Sequence, residues 1–252
     1  MVTPKAQATD AVAEDTEFRR ALGTFDAAMV VIGGIVGAGL FINPYIVAQR
    51  LPTEATVLAA WIAGGAIAVA GAFAYAELGS LFPQAGGPYV YLRRAYHPIA
   101  GFLYGWALLF MIVGGGIAAI GITFAAYALR FVGSTANPAP LAIAAIVIVS
   151  AINYVGVKPG SRVLNVFVVL KVAALAALIV VGALLPEAGT TTAPAPPPAT
   201  GWLPIAFGAA LIPIMFSYGG WQNANYVAEE IRDPQRSLPR ALIGGTIAVV
   251  VL

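Results

Sequence analysis

The sequence predicts an all-α integral membrane protein, and three observations support this fold class. The 252 residues are 60% hydrophobic and only 10% charged, with a mean hydropathy of +0.87, which lies outside the usual range of soluble domains. The apolar residues form runs of roughly 20 residues, the length that a helix needs to span a bilayer. These runs are continuous instead of alternating at every second residue, which argues against membrane-spanning strands.

Six apolar stretches are long enough to span the membrane, and a seventh begins near residue 240. Their approximate bounds are 25–48, 54–81, 98–132, 139–156, 162–185 and 204–230. Residues 1–20 are polar and lack the apolar core of a signal peptide, so we expect a cytoplasmic N-terminal tail. The proline-rich segment 186–203 favours extended polyproline conformation and is expected to form an external loop. Only 12 residues follow Arg240, fewer than the roughly 20 of a span, so we expect a truncated sequence.

The distribution of positive charge predicts the orientation of the spans. If the spans alternate in direction, ten lysine and arginine residues fall on one side of the membrane and two on the other. The ten are Lys5, Arg19, Arg20, Arg93, Arg94, Lys158, Arg162, Arg232, Arg236 and Arg240, and the two are Arg50 and Arg130. Since cytoplasmic loops carry the excess of positive charge, we expect a cytoplasmic N-terminus in a multi-pass protein of the cell (inner) membrane. The cations are too thinly spread to form a patch for nucleic acid.

Glycine-rich patches interrupt the first and the sixth apolar stretch at mid-length. The patches are Gly33–Gly39 and Phe216–Trp221. A helix that loses its regularity in lipid leaves backbone groups unpaired at a high cost, so such breaks persist only inside protein or along a cavity. Paired breaks in corresponding positions of two halves indicate the substrate site of a secondary transporter with inverted repeats. Close helix packing through Gly33 and Gly37 is the alternative interpretation of the first patch.

The paired breaks also predict the domain organisation. Residues 21–185 form a first repeat of five spans, and residues 204–252 contain the sixth span and the start of the seventh, which belong to a second repeat. The fold class is therefore an inverted-repeat transporter fold in which helices 1 and 6 are discontinuous.

The two breaks offer complementary backbone groups. Free N–H groups between Gly37 and Gly39, at the positive end of the following half-helix, suit a carboxylate. Pro213 removes a backbone donor and Gly219 loosens the turn, so carbonyls near Phe216 are expected to accept hydrogen bonds from an ammonium group. Together they suit a zwitterion.

Three aromatic residues in the second break are candidates to cover the ligand. They are Phe216, Tyr218 and Trp221. Aromatic residues in a span more often pack or anchor at the interface. Phe216 is the preferred lid because it directly precedes the break.

Several motifs resemble the amino acid–polyamine–organocation (APC) family of amino acid permeases. They are Gly34-Ile35-Val36-Gly37-Ala38-Gly39-Leu40-Phe41, Tyr75-Ala76-Glu77-Leu78-Gly79 with the segment 82–92, and the segment 229–240. They occur in the order and at the spacing of that family, and the similarity covers nearly the whole chain beyond residue 20. The resemblance implies ten core helices in two inverted five-helix repeats that work by alternating access.

The resemblance also implies roles for individual residues. Ile35, Ala38 and Gly39 would lie at the carboxylate end of the substrate. Phe216, Ser217 and Gly219 would surround its amino group and side chain, with Phe216 as the occluding aromatic. The full set of predicted substrate-binding residues is Ile35, Gly37, Ala38, Gly39, Met111, Phe216, Ser217, Tyr218 and Gly219.

Met111 and Lys171 bear on the substrate and on the coupling ion. Met111 stands where cationic amino acid carriers of the family place an acidic residue, and without that counter-charge a neutral amino acid is favoured. Lys171 lies roughly 13 Å inside the fifth span if each residue rises about 1.5 Å from Arg162. It either reaches toward the interface as a structural residue or exchanges a proton during transport. The resemblance favours the second role, because some members have a fifth-helix lysine where sodium-coupled relatives bind the ion, and so implies sodium independence.

The sequence therefore predicts a secondary active transporter for a small, neutral amino acid, with proton coupling or exchange. It contains no cysteine and no nucleophile–base pair, phosphate loop or metal cluster, so we expect no enzyme, no cofactor and no metal. One alternative is a polyamine or organic-cation carrier on the same scaffold. Another is a non-transporting membrane sensor or subunit. The oligomeric state stays open.

Overall fold

The computed structural model describes residues 20–184 and 202–252, and the regular elements in this part of the chain are all helical. The helices are α1 (Thr24–Ile35), α2 (Ala38–Arg50), α3 (Glu54–Leu81), α4 (Pro88–Ala95), α5 (Pro98–Ala107), α6 (Gly114–Phe131), α7 (Ala139–Val155), α8 (Val157–Leu184), α9 (Leu203–Tyr218) and α10 (Pro234–Val251). A π-helical segment, Leu108–Val113, joins α5 to α6, and a 3₁₀ segment, Trp221–Glu230, follows α9. Most of the predicted tail at 1–20 and of the predicted loop at 186–203 lies outside the described residues.

Five helical segments of the described chain are long and apolar enough to cross a membrane, which confirms the all-helical membrane class. They are Thr24–Arg50, Glu54–Leu81, Pro98–Phe131, Val157–Leu184 and Leu203–Glu230. Helix α7 has 17 residues, at the lower limit of about 17 for a span. Two helices begin earlier than predicted. Helix α8 begins at Val157 instead of residue 162, and α10 begins at Pro234 instead of near residue 240. The first residues of both helices lie in polar stretches, which hydropathy does not assign to a span.

Local sequence explains where several helices begin. Thr53 caps α3 by accepting a hydrogen bond from the Thr56 N–H at 3.2 Å, the usual role of an N-cap hydroxyl. The N–H of Gly23, before α1, donates to the Asp26 carboxylate at 3.0 Å, and the acid suits the positive end of the helix. Helices α4, α5 and α10 each start with proline, whose missing N–H costs nothing at that position.

The first break is shorter than predicted. Gly33 and Gly34 stay helical, α1 continues to Ile35, and only Val36 and Gly37 separate it from α2. The Val36 N–H still donates to the Ile32 carbonyl at 2.7 Å, so the helical pattern persists through the two glycines. The extended backbone of Gly37, with φ −116° and ψ −171°, then starts α2 in a new direction.

The second break follows Tyr218, as the glycine pair predicts. Gly219 is extended, with φ −66° and ψ 156°, and Gly220 is left-handed, with φ 109° and ψ −12°. Glycine enters that left-handed region at little cost, whereas other residues rarely do. The chain then continues as the 3₁₀ segment, so the second half of the sixth span is not a regular α-helix.

Residues 20–85 and 202–252 form one compact unit. Small residues of α3 let its neighbours in this unit approach closely, and the buried ones are Ala60, Gly64, Gly65, Ala68, Ala72, Ala76 and Gly79. A Cβ on Gly71 would lie 2.8 Å from the Trp221 ring, and one on Gly79 would lie 2.6 Å from Leu238 Cδ2. Helix α3 is therefore the surface on which the second break and α10 pack.

Residues 86–184 belong to a second compact unit. Within it α4 packs on α5 where a Cβ on Gly101 would lie 2.9 Å from Arg93 Cβ, and α6 packs on α7 where one on Gly121 would lie 3.0 Å from Ile146 Cδ1. The two compact units are defined by packing, whereas the two predicted repeats are defined by structural symmetry. The predicted boundary between the repeats, at residues 185 and 186, therefore stays a prediction.

Candidate functional site

The two breaks contact each other through glycine backbones. A Cβ on Gly34 would lie 2.6 Å from the Gly220 carbonyl oxygen and 2.9 Å from Asn223 Nδ2, and one on Gly220 would overlap the Gly34 carbonyl group. Neither position has room for a side chain. Gly34 was predicted to help unwind the first helix. Instead, because it has no side chain, it allows the two segments to approach each other closely.

Backbone N–H groups are available at the start of α2. Among the described residues, the N–H groups of Ala38 and Gly39 have no hydrogen-bond acceptor, as expected for the first turn of a helix. The N–H of Gly37 differs, because it donates to the Ile35 carbonyl at 2.8 Å. The predicted donor set is thus reduced to Ala38 and Gly39, at the positive end of the α2 dipole.

Backbone carbonyl groups are available at the end of α9. In the described part of the chain, the carbonyls of Ser217 and Tyr218 accept no hydrogen bond, because the helix ends and the next residues turn away. The Phe216 carbonyl is occupied by the Gly219 N–H at 3.3 Å. The acceptors at the negative end of the α9 dipole are therefore Ser217 and Tyr218.

The start of α2 and the end of α9 lie side by side. A Cβ on Gly39 would lie 3.3 Å from Ser217 Oγ and 3.4 Å from Phe216 Cδ1. This arrangement places Gly39 beside Phe216 and Ser217, three of the residues predicted to bind the substrate. Their roles in binding stay predictions. Positive and negative helix ends next to each other suit a ligand with a carboxylate and an ammonium group.

Asn43 holds the two helices together and was missed at the sequence level. Its Nδ2 donates to Ser217 Oγ at 2.8 Å and to the Pro213 carbonyl at 2.9 Å. Ser217 Oγ donates to the same carbonyl at 2.9 Å. Only 7% of Asn43 and 2% of Ser217 are exposed, so these bonds form in an apolar environment where they are strong. The available signal was an amide side chain in the apolar first half of α2.

The predicted aromatic cover divides into one exposed ring and two packed ones. Phe216 is 78% exposed, whereas Tyr218 is 5% exposed. Tyr218 packs edge-on against Trp61 with ring centroids 5.5 Å apart, and Trp221 packs in the same way against Tyr75 at 4.9 Å. Both packed rings rest on α3, so Phe216 is the aromatic side chain with freedom to cover a ligand.

The two remaining predicted residues in this unit are Ile35, at the first break, and Gly219, at the second. Ile35 is 2% exposed and belongs to the hydrophobic core, so its side chain contributes packing. Gly219 adjoins the carbonyls of Phe216 and Met215. Their predicted roles in substrate binding stay predictions.

Met111 and Lys171 belong to the second compact unit. Met111 lies in the π-helical segment and is 73% exposed; such π segments often occur at functional sites in helices. Lys171 is partly buried in α8 and interacts with other residues. Within residues 20–184 and 202–252, no group of three or more His, Cys, Asp and Glu side chains could hold a metal ion.

Comparison with known proteins gives a consistent set of matches. The family model described as "Amino acid permease" matches residues 22–252. The b(0,+)-type amino acid transporter 1 of Homo sapiens is 33% identical over 240 residues, which are 91% of this chain and 48% of that protein. The Asc-type amino acid transporter 1 of Mus musculus is 31% identical over 242 residues, or 91% of this chain and 45% of that protein.

A third relative is the "Large neutral amino acids transporter small subunit 2" of Homo sapiens, 32% identical over 237 residues, or 89% of this chain and 44% of that protein. The chain spans about half the length of these curated relatives. The names of the family and of the relatives describe transporters and not enzymes.

Proposed function

The chain belongs to the APC family of amino acid permeases, and on this premise we propose that the full-length protein carries a small, neutral amino acid across the cell membrane by alternating access. The observation that carries the proposal is the pair of facing helix ends. The N–H groups of Ala38 and Gly39 bind the substrate carboxylate, and the carbonyls of Ser217 and Tyr218 bind its ammonium group. Because these are backbone groups, they recognise the part that all amino acids share.

A neutral side chain is supported by the character of two residues that the sequence predicts to bind the substrate. Phe216 is an apolar lid, and Met111 offers no counter-charge for a cationic side chain, which would be costly to desolvate alone. One relative is named a large neutral amino acids transporter, which supports a neutral side chain. A polyamine, which has no carboxylate, would leave the N–H groups of Ala38 and Gly39 unsatisfied.

Uptake into proteoliposomes tests the proposed function. We expect the purified full-length protein to accumulate labelled neutral amino acids, to do so equally with sodium or potassium outside, and to respond to an imposed proton gradient or to amino acid on the inner side. Labelled lysine and putrescine serve as cationic comparisons. Saturable binding of neutral amino acids without flux would instead support a sensor, and preferential uptake of putrescine would support the organic-cation alternative.

Lys171 is proposed as the residue that couples transport to protons. It is a partly buried cation within a membrane-spanning helix, where an ionisable group is expensive and is commonly functional. We expect Lys171→Ala to remove the pH dependence of uptake, because the fixed neutral side chain can no longer gain or lose a proton.

Lys158→Ala is the matched control, since Lys158 is an exposed lysine in the first turn of the same helix. Its pH profile should follow that of the unmodified protein. If Lys171→Ala gave the same pH profile as Lys158→Ala, the coupling role of Lys171 would be wrong.

We also propose an orientation for the protein in the membrane. The ten-to-two distribution of lysine and arginine residues supports a cytoplasmic N-terminus by the positive-inside rule. With this orientation, α2 and the start of α9 lie toward the outside of the cell.

A further inference from the structure

Pro213 leaves one carbonyl of α9 without its helical donor. In an α-helix the carbonyl of residue i accepts the N–H of residue i+4, and proline has no N–H. The carbonyl of Ala209 therefore lacks the bond that position 213 would otherwise supply. An unpaired carbonyl in an apolar span is costly, so a donor from elsewhere is needed.

Arg50, the last residue of α2, supplies that donor. Its Nη1 donates to the Ala209 carbonyl oxygen at 2.6 Å, across 159 positions of sequence. A guanidinium donor makes this bond charge-assisted and stronger than a neutral one. The arginine thus compensates for the proline on the neighbouring helix.

A second link joins the same two helices further along. Asn43 precedes Arg50 by seven residues, two helical turns, with the buried Val47 between them on one face of α2. The Asn43 amide contacts the Pro213 carbonyl and Ser217 Oγ, at 2.9 and 2.8 Å. Helix α2 is therefore bonded to α9 at two heights, once beside the candidate site and once at its own far end.

We propose that Arg50 is a positioning residue, which holds α2 and α9 as one paired unit by bonding the carbonyl that Pro213 leaves open. The substrate groups on these helices are at the start of α2 and the end of α9, so their separation depends on the relative tilt of the two helices. Asn43 bonds α2 to α9 beside the candidate site, and Arg50 adds a bond two helical turns away, which resists a change in the tilt of one helix against the other. The inference rests on the proposed function and adds to it a residue that does not touch the substrate.

A double-mutant cycle between Arg50→Met and Pro213→Ala tests the proposal in the full-length protein. Pro213→Ala restores a helical N–H that competes with Arg50 for the Ala209 carbonyl, so the link between α2 and α9 is weakened in this background whether or not Arg50 is present. We expect Arg50→Met to raise the KM for the transported amino acid about tenfold when Pro213 is present. In the Pro213→Ala background the same change should alter KM less than about twofold.

Arg130→Met is the matched control. Arg130 is an exposed arginine near the end of another helix, α6, so the control removes the same charge without removing the Ala209 bond. Its KM should equal that of the unmodified protein. Equal effects of Arg50→Met and Arg130→Met would assign the result to net charge and overturn the proposal.

A distance measurement provides a readout that does not depend on transport. These 252 residues contain no cysteine, so spin labels can be placed at Tyr45→Cys on α2 and Ile212→Cys on α9, both of which are exposed; any cysteine elsewhere in the full-length protein is replaced. We expect Arg50→Met to broaden the pulsed EPR distance distribution when Pro213 is present. In the Pro213→Ala background, where the Ala209 carbonyl is already bonded within α9, the same change should broaden it no further.

The outcomes separate the positioning role from the proposed function. An equal effect of Arg50→Met in both backgrounds, or an unchanged label distance, would overturn the positioning role. Absence of uptake by the unmodified protein, together with the expected distance changes, would reject transport and support the link between the helices.

Discussion

Replacing Gly220 with alanine is expected to abolish uptake and to lower the free energy of unfolding of the full-length protein by about 2 to 5 kcal/mol. Two costs add at this position. The backbone of Gly220 is left-handed, with φ 109°, which strains a residue that has a side chain. The added Cβ would also overlap the Gly34 carbonyl and lie 3.1 Å from Gly34 Cα, where two backbone segments leave no flexible atom to move.

Two further alanine variants separate these costs. Gly34→Ala meets the same contact from the other side, with its Cβ 2.6 Å from the Gly220 carbonyl oxygen, but it adds no left-handed strain, so its effect should be smaller. Gly208→Ala is the control within α9, since nothing lies within 4 Å of its added Cβ, and alanine favours the helix by up to about 1 kcal/mol.

Thermal unfolding in detergent and uptake into proteoliposomes measure the series. The expected order of stability is Gly208→Ala, then Gly34→Ala, then Gly220→Ala. A Gly220→Ala protein as stable and as active as the Gly208→Ala protein would show that the two breaks do not need their close contact.

Replacing Ala38 with proline is expected to raise the dissociation constant of the amino acid about ten- to hundredfold while the fold persists, since a hydrogen bond to a charged group contributes about 1.5 to 3 kcal/mol. Proline removes one N–H donor and no side chain of importance. The first position of a helix tolerates proline. The preceding Gly37 is already extended, with ψ −171°, as a residue before proline requires.

Glu54→Pro is the matched control for the loss of an N–H. Glu54 is also the first residue of its helix, and the preceding Thr53 is extended, with φ −140° and ψ 152°. Because α3 begins away from the facing helix ends, Glu54→Pro should leave the dissociation constant unchanged. Isothermal titration or scintillation proximity binding measures both variants. If Ala38→Pro bound substrate as tightly as Glu54→Pro, the carboxylate would not bind at the start of α2.

The first break shows how much of the local structure was predictable. Glycine enrichment between Gly33 and Gly39 correctly indicated a break in the first span. It did not indicate that Gly33 and Gly34 stay helical and that the chain turns at Val36 and Gly37. Helix propensity cannot separate these outcomes, because the contact that requires Gly34 is made by Gly220, which lies far away in sequence.

The sequence predicted the type of candidate site but not the exact backbone groups that form it. The positions of Gly39 and Phe216 suggested facing helix ends, and the structure brings them together. It also shows that the N–H of Gly37 and the carbonyl of Phe216 bond within their own segments, which no motif indicates. Tyr218 and Trp221 looked similar to Phe216 in sequence, and only their rings against Trp61 and Tyr75 assign them to packing.

The sequence alone determined the membrane class, the helical architecture and the existence of two breaks, because hydrophobicity and the loss of helical hydrogen bonds are local properties of the chain. Only the tertiary structure decided which donors and acceptors bond to the backbone groups that lack a helical partner. The Ala209 carbonyl is opened by Pro213, four residues away, but the donor that satisfies it is Arg50, at a separation of 159 residues. A missing bond can be read from local sequence, whereas its replacement depends on how two distant helices pack.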